Sequence, residues 1–240
     1  MTNDKKGRGR PRPRPKPKTK SGSTPGPQLH LDDDLVRELG SAARPGKKEL
    51  LIKVMAEAVA AYAAGDIDEA IRLGEQAKHM ALRSTTAREF LGLAYYNAGR
   101  WRDAITELSA FRRMAATAEQ NPVLADCYRA EGKPEKAVEL AEETRSSPPS
   151  EAILFESEIV AAAALADMGR VQEAIGRLQT LPLEPEVAQE HHLRVWYVLG
   201  DLLERKGRFT QAHDYFSAVA AADAELTDAP ERAARLTVGR

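Results

Sequence analysis

The sequence has a single cysteine, Cys127, in 240 residues. No internal disulfide can form, so packing must hold the fold and a reducing compartment is expected. Aromatic residues make up only 5%. Alanine, the best helix former, takes much of their place, which favours closely packed helices. No apolar run approaches the roughly 20 residues that a bilayer-spanning helix needs. The longest, 159–166, is mostly alanine. The start MTNDKKGRGR has bases without the apolar stretch of a secretory signal. These absences predict a soluble, cytoplasmic protein. No phosphate loop, nucleophile elbow or paired general acid and base occurs, so no enzyme and no cofactor are expected. His191 and His192 are adjacent and are therefore expected on different helix faces, unable to form an i, i+4 metal pair. His79 and His213 stand alone, so no metal site is expected either.

The net charge is also small, −1, but it is unevenly spread. Residues 1–30 hold nine of the 35 Lys/Arg and one of the 36 acids, a charge of +8 that leaves −9 on the rest. The bases are Lys5, Lys6, Arg8, Arg10, Arg12, Arg14, Lys16, Lys18 and Lys20, many alternating with proline. Such a stretch repels itself, lacks amide donors and has little apolar surface to bury, so 1–30 is expected to be disordered. It is read as a solubilising tail, an electrostatic arm for nucleic acid, or a proline-rich ligand for a partner groove.

What is present is a repeat. Gly-x-x-x-x-Ala occurs five times, at Gly65/Ala70, Gly99/Ala104, Gly132/Ala137, Gly169/Ala174 and Gly207/Ala212. The glycines are 34, 33, 37 and 38 residues apart, a period typical of stacked helical arrays. Each glycine is expected to end one helix in the left-handed region, and each alanine to let the next helix approach closely. The fold class expected is all-α: a solenoid of about five helix-turn-helix repeats behind the tail. Residues 31–46 form a short capping helix and linker, with Leu35, Val36 and Leu39 at helical spacing. Residues 47–226 are the repeats, near 48–81, 84–116, 119–147, 150–181 and 185–224. Residues 227–240 are a frayed closing segment in which Ala233 and Leu236 cover the last repeat. Thr86 and Glu89 suggest a capping box for the helix ending at Ala98, and the last repeat's first helix is expected over about 186–206.

This pattern resembles the tetratricopeptide repeat (TPR). The fifth repeat carries Trp196, Leu199, Gly200, Leu203, Gly207, Ala212 and Phe216, and the second carries Leu91, Gly92, Tyr95, Gly99, Ala104 and Leu108. The third carries Leu124, Ala125, Tyr128, Gly132, Ala137 and Pro149, while the first and fourth are more degenerate. The layout, a basic Arg/Pro tail before five repeats, also resembles bacterial TPR proteins, a likeness that implies no activity.

The resemblance implies a protein-binding scaffold whose concave face is lined by the first helix of each repeat. Carried over by offset from the turn glycines, that face would hold Ile52, Met55, Val59 and Tyr62, then Glu89, Leu93, Tyr96 and Asn97, then Asp126 and Arg129. It would continue with Glu156, Ile159, Ala163 and Asp167, and end with Arg194, Tyr197, Asp201 and Arg205. The resemblance does not extend to the carboxylate clamp of chaperone-binding members, because Asn97 and Arg129 lack the matching lysine. The partner expected is thus a protein or peptide segment. Nucleic acid is the alternative, through the tail or through Arg83, Arg88, Arg100, Arg102, Arg112 and Arg113 with Tyr95, Tyr96 and Trp101 of the second repeat. Cys127 is expected to be a buried, inert thiol.

Overall fold

The computed structural model describes residues 32–238; the expectations for the tail lie outside them. Among the described residues there are twelve helices and no strand. They are α1 (Asp33–Ala42), α2 (Lys48–Ala63), α3 (Ile67–Met80), α4 (Thr85–Asn97), α5 (Trp101–Ala115) and α6 (Asn121–Ala130). Then come α7 (Pro134–Ser146), α8 (Glu151–Asp167), α9 (Val171–Leu178), α10 (Glu190–Arg205), α11 (Phe209–Ala222) and α12 (Ala229–Val238). Helices α2 to α11 pair into five hairpins stacked in chain order, and α1 and α12 close the ends.

The five turns share one geometry. Gly65, Gly99, Gly132, Gly169 and Gly207 all have φ between 71° and 81°. The amide after each glycine donates back to the last turn of the helix: Asp66 to Ala61, Arg100 to Tyr95, Lys133 to Tyr128, Arg170 to Leu165 and Arg208 to Leu203, at 2.8–2.9 Å. This is the Schellman closure, which requires a left-handed residue that only glycine supplies cheaply. The alanine five residues on is fully buried in every repeat. Small residues also sit where hairpin partners cross: Ala58, Ala125 and Ala162 are fully buried. A Cβ added to Gly92 would lie 2.4 Å from Leu108, and one added to Gly200 would lie 2.7 Å from the Phe216 ring.

The core runs along the array as linked clusters. The largest joins α8 to α12 through Phe155, Leu165, Ile175, Leu199, Leu203, Phe216 and Val219. Ala233 and Leu236 of α12 pack on it, as the sequence implies. Another, around Leu39, Leu51, Val54, Met55 and Met80, ties α1 to the first repeat. Two buried carboxylates knit neighbouring helices. Glu107 of α5 takes Lys78 of α3 at 3.0 Å and Arg88 of α4 at 2.7 Å. Glu158 of α8 takes Arg145 of α7 at 2.6 Å and Arg177 of α9 at 2.5 Å.

Some local expectations change. The cap of α4 is Ser84, whose hydroxyl accepts the Ala87 amide at 3.1 Å, rather than a Thr86–Glu89 box. Glu38 of α1 reaches the same helix end and accepts from Thr85 N at 2.8 Å, a carboxylate at the positive end of the helix dipole. Helix α10 begins at Glu190, not near 186, because extended Gln189 caps it: the Gln189 amide donates to His192 Nδ1 at 3.2 Å. The longer glycine spacings divide as expected: one lengthens α8 and the other lengthens the connection 179–189. Met55 and Ile159, expected on the concave face, are buried in the core instead.

Candidate binding groove

Helices α2, α4, α6, α8 and α10 are the first helices of the five hairpins. The residue in the Leu91–Gly92 position of each packs inward, and the residues about 100° round the helix face the neighbouring first helix. None of the twelve polar residues expected on this face is buried; all are half-buried or exposed. The adjacent aromatics of α4 divide accordingly, whereas Trp196 and Tyr197 of α10 are both half-buried. Tyr95 is buried and donates its hydroxyl to Glu75, whereas Tyr96 faces α6.

These residues join the helices in a row of polar contacts. The Asn97 amide donates to the Tyr62 hydroxyl, linking α4 to α2. The Tyr96 hydroxyl donates to Asp126 at 2.7 Å, linking α4 to α6, and Gln120 donates to Glu89 at 2.7 Å beside it. Arg129 of α6 donates to Asp126 at 2.9 Å and to Asp167 of α8 at 2.8 Å. Arg194 of α10 meets Glu156 of α8 at 2.8 Å. Asp201 holds Arg205 at 2.7 Å and Arg232 of α12 at 3.0 Å, and the Tyr197 hydroxyl donates to Asp228 at 2.6 Å. The sequence reading missed Gln120, Asp228 and Arg232. Reading 227–240 as a sixth first helix, rather than a frayed end, exposes the last two.

The electrostatics follow from these neighbours. Burial raises the Glu89 carboxyl above its ordinary value, and the Gln120 hydrogen bond only partly opposes it. Burial draws Arg129 down, but hydrogen bonds and charge from Asp167 and Asp126 outweigh it and hold the guanidinium charged. A cavity of about 350 Å³ opens at the amino ends of α6 and α8. Pro122, Val123, Pro149 and Ile153 form its apolar wall, and Glu119 and Glu156 its acidic rim.

The arginine-rich second repeat is largely neutralised. Arg88 binds Glu107, Arg100 binds Asp103, Arg102 binds Glu131, and Arg112 binds Glu143. Arg100 also covers Tyr95 at 4.4 Å, so that ring offers no stacking surface. Cys127 is fully buried, and burial together with Asp126 pushes its thiol up to about 12. His191 and His192 do not point apart: their rings lie 4.2 Å from each other in the first turn of α10, and both meet the edge of Phe155. No helix among the described residues is long and apolar enough to cross a membrane.

The family model for the tetratricopeptide repeat matches residues 55–122, 91–152 and 159–227. The chain belongs to the tetratricopeptide repeat family. Among solved structures, it is similar to a thermophilic TPR protein of Thermus thermophilus, at 18% identity and a TM-score of 0.59 over 78% of this chain and 99% of that one. The MamA protein matches at 18% identity and 0.55, over 74% and 93%. YrrB, described as a TPR protein with an unusual peptide-binding site, matches at 14% and 0.50, over 75% and 90%. No curated protein matches significantly. The TPR architecture is in general that of a protein–protein interaction scaffold, and this chain has it over five hairpins.

Proposed function

We propose that this TPR chain is a non-enzymatic adaptor that holds a segment of a partner protein along the face of α2, α4, α6, α8 and α10. The observation that carries the reading is the row of twelve polar and aromatic side chains, none buried, contributed by consecutive repeats. Amphipathic anchors such as Tyr96 and Tyr197 suit an interface, since they bring large area at low entropic cost. The cavity between α6 and α8 suits one apolar side chain of the partner, and exposed Glu119 at its rim suits a neighbouring base. The partner segment is thus read as an apolar residue flanked by basic and hydrogen-bonding groups. A single, buried cysteine accords with a reducing compartment, which we take to be the cytoplasm.

The test starts with capture of partners from the native cell by the full chain. The affinity of the purified partner is then compared between the native chain and Asn97→Ala and Ile153→Ser variants that retain native helicity. Weakening of tenfold or more by either variant, with no effect of deleting residues 1–30, supports the groove. Unchanged affinity in both variants, with steeply salt-dependent loss on deleting the tail, places binding in the basic arm and favours a polyanionic partner.

A further inference from the structure

We propose that Glu151, His191 and His192 form a site for a transition-metal dication of the zinc and cobalt class, clasping α8 to α10. One ligand atom from each of the three lies within 4.8 Å of the others. Two imidazoles and one carboxylate are the donor set of zinc, cobalt and nickel, and not of magnesium or calcium, which prefer all-oxygen shells.

The site is built from three observations. First, the two rings lie tilted against each other with centroids 4.2 Å apart, and a nitrogen of each falls within 4.8 Å of the other and of a Glu151 oxygen. Second, His191 Nε2 is buried without a hydrogen-bond partner, and it faces Glu151 Oε2 at 3.7 Å. A buried ring nitrogen left unsatisfied is costly, and a metal bond would satisfy it. Third, fully buried Phe155 stands edge-on to both rings, at 4.7 and 5.0 Å, and forms an apolar back wall. Exposed Glu151, the first residue of α8, leaves the opposite side open for entry.

The donors are slightly too far apart as they stand. Tetrahedral bonds of about 2.0–2.1 Å put ligand atoms roughly 3.4 Å from one another. The donors must therefore close by up to about 1.4 Å, shared between rotation of exposed Glu151 and turning of the two rings. His192 Nδ1 accepts the Gln189 amide at 3.2 Å. Coordination through that nitrogen exchanges the cap bond for a metal bond and leaves the amide of exposed Gln189 to water. Three protein ligands leave a fourth position for water. The clasp would join the first turns of α8 and α10, one turn before the Arg194–Glu156 pair that already ties these helices.

The test is titration of the untagged, chelator-stripped full chain with Co²⁺, followed by displacement with Zn²⁺. The expected result is one equivalent of Co²⁺ per chain with the intense visible absorption of tetrahedral cobalt, bleached by Zn²⁺. Glu151→Gln and His191→Ala, each checked for native helicity, should weaken binding at least tenfold. A triple His30→Gln, His79→Gln, His213→Gln variant should bind as the native chain does. Absence of saturable binding overturns the proposal. So does binding that survives Glu151→Gln and His191→Ala, or is lost in the triple variant; Glu151 and His191 are then an ordinary interhelical contact.

Discussion

Replacing Gly92 by alanine isolates the close packing of one hairpin. The added Cβ would meet Leu108 Cδ2 at 2.4 Å and Cγ at 2.5 Å, and the Leu108 amide nitrogen at 3.4 Å. Ordinary contacts between such atoms are about 3.5–4 Å. Leu108 is fully buried and cannot swing aside, so α4 and α5 must separate or Leu108 must leave its rotamer. Overpacking of this kind costs about 1–3 kcal/mol. Alanine's better helix propensity returns about 1 kcal/mol. The net expectation is a loss of up to about 2 kcal/mol, or up to about 8 °C in Tm for a chain of this size. Gly176, in α9, is the internal control: a Cβ there meets nothing within 4 Å. Gly176→Ala should therefore raise stability by about 0.5–1 kcal/mol. The coupling is testable too. Leu108→Ala alone should cost about 2–5 kcal/mol, and the double variant Gly92→Ala/Leu108→Ala should cost at least ~1 kcal/mol less than the sum of the two. The assay is urea unfolding followed by circular dichroism and by tryptophan fluorescence, whose transitions must coincide for a single free energy to be meaningful. Stabilisation by Gly92→Ala equal to that by Gly176→Ala would refute the close-approach argument, and additivity in the double variant would refute the role of Leu108.

Four further outcomes are expected. Glu107→Ala leaves part-buried Lys78 and Arg88 without their shared carboxylate, so it should cost about 3 kcal/mol in urea unfolding. Ala116 has φ 52° at the end of α5, and Ala116→Gly should stabilise by about 1 kcal/mol in the same assay. The Cys127 thiol, raised to about 12, stays neutral at pH 8, so a thiol reagent should label it only at the rate of unfolding. The folded value lies above the unfolded one, so the stability tied to the neutral thiol is complete below about pH 8.5 and is lost as pH rises toward 12. Tyr197→Ala removes the hydroxyl that donates to Asp228 and a ring beneath Arg232, and hydrogen exchange should accelerate in α12 with little change in α2 to α5.

The regular part of this fold was legible because it is local. A glycine that must take positive φ and an alanine that must admit a crossing helix are demands a single position can reveal, and both recur at all five turns. The groove was half legible. Helical offset placed Tyr96 outside and Tyr95 inside, but it misassigned Met55 and Ile159, because which stripe is buried depends on how far the next hairpin rotates. Partnerships were not legible at all. Arg129 and Asp167 meet from positions 38 apart: the 37-residue glycine spacing gives their separation, but not which acid on the facing helix the guanidinium takes. The paired histidines were hidden for a related reason. The offset argument holds inside a helix, whereas His191 and His192 lie in its first turn, where the cap at Gln189 steers one ring toward the other.

The row of polar contacts along the first helices has a mechanical side. Each link joins helices of different repeats, and all lie on one side of the stack: Asn97 to Tyr62, Tyr96 to Asp126, Arg129 to Asp167, Arg194 to Glu156, Arg232 to Asp201. Straightening the array stretches these links, while the apolar contacts behind them act as hinges. The polar links thus lie along one edge of the stack and the apolar packing behind them. If the proposed partner takes over one of these donors, it removes one link between neighbouring hairpins, so recognition at a single hairpin would also loosen the tie to the next.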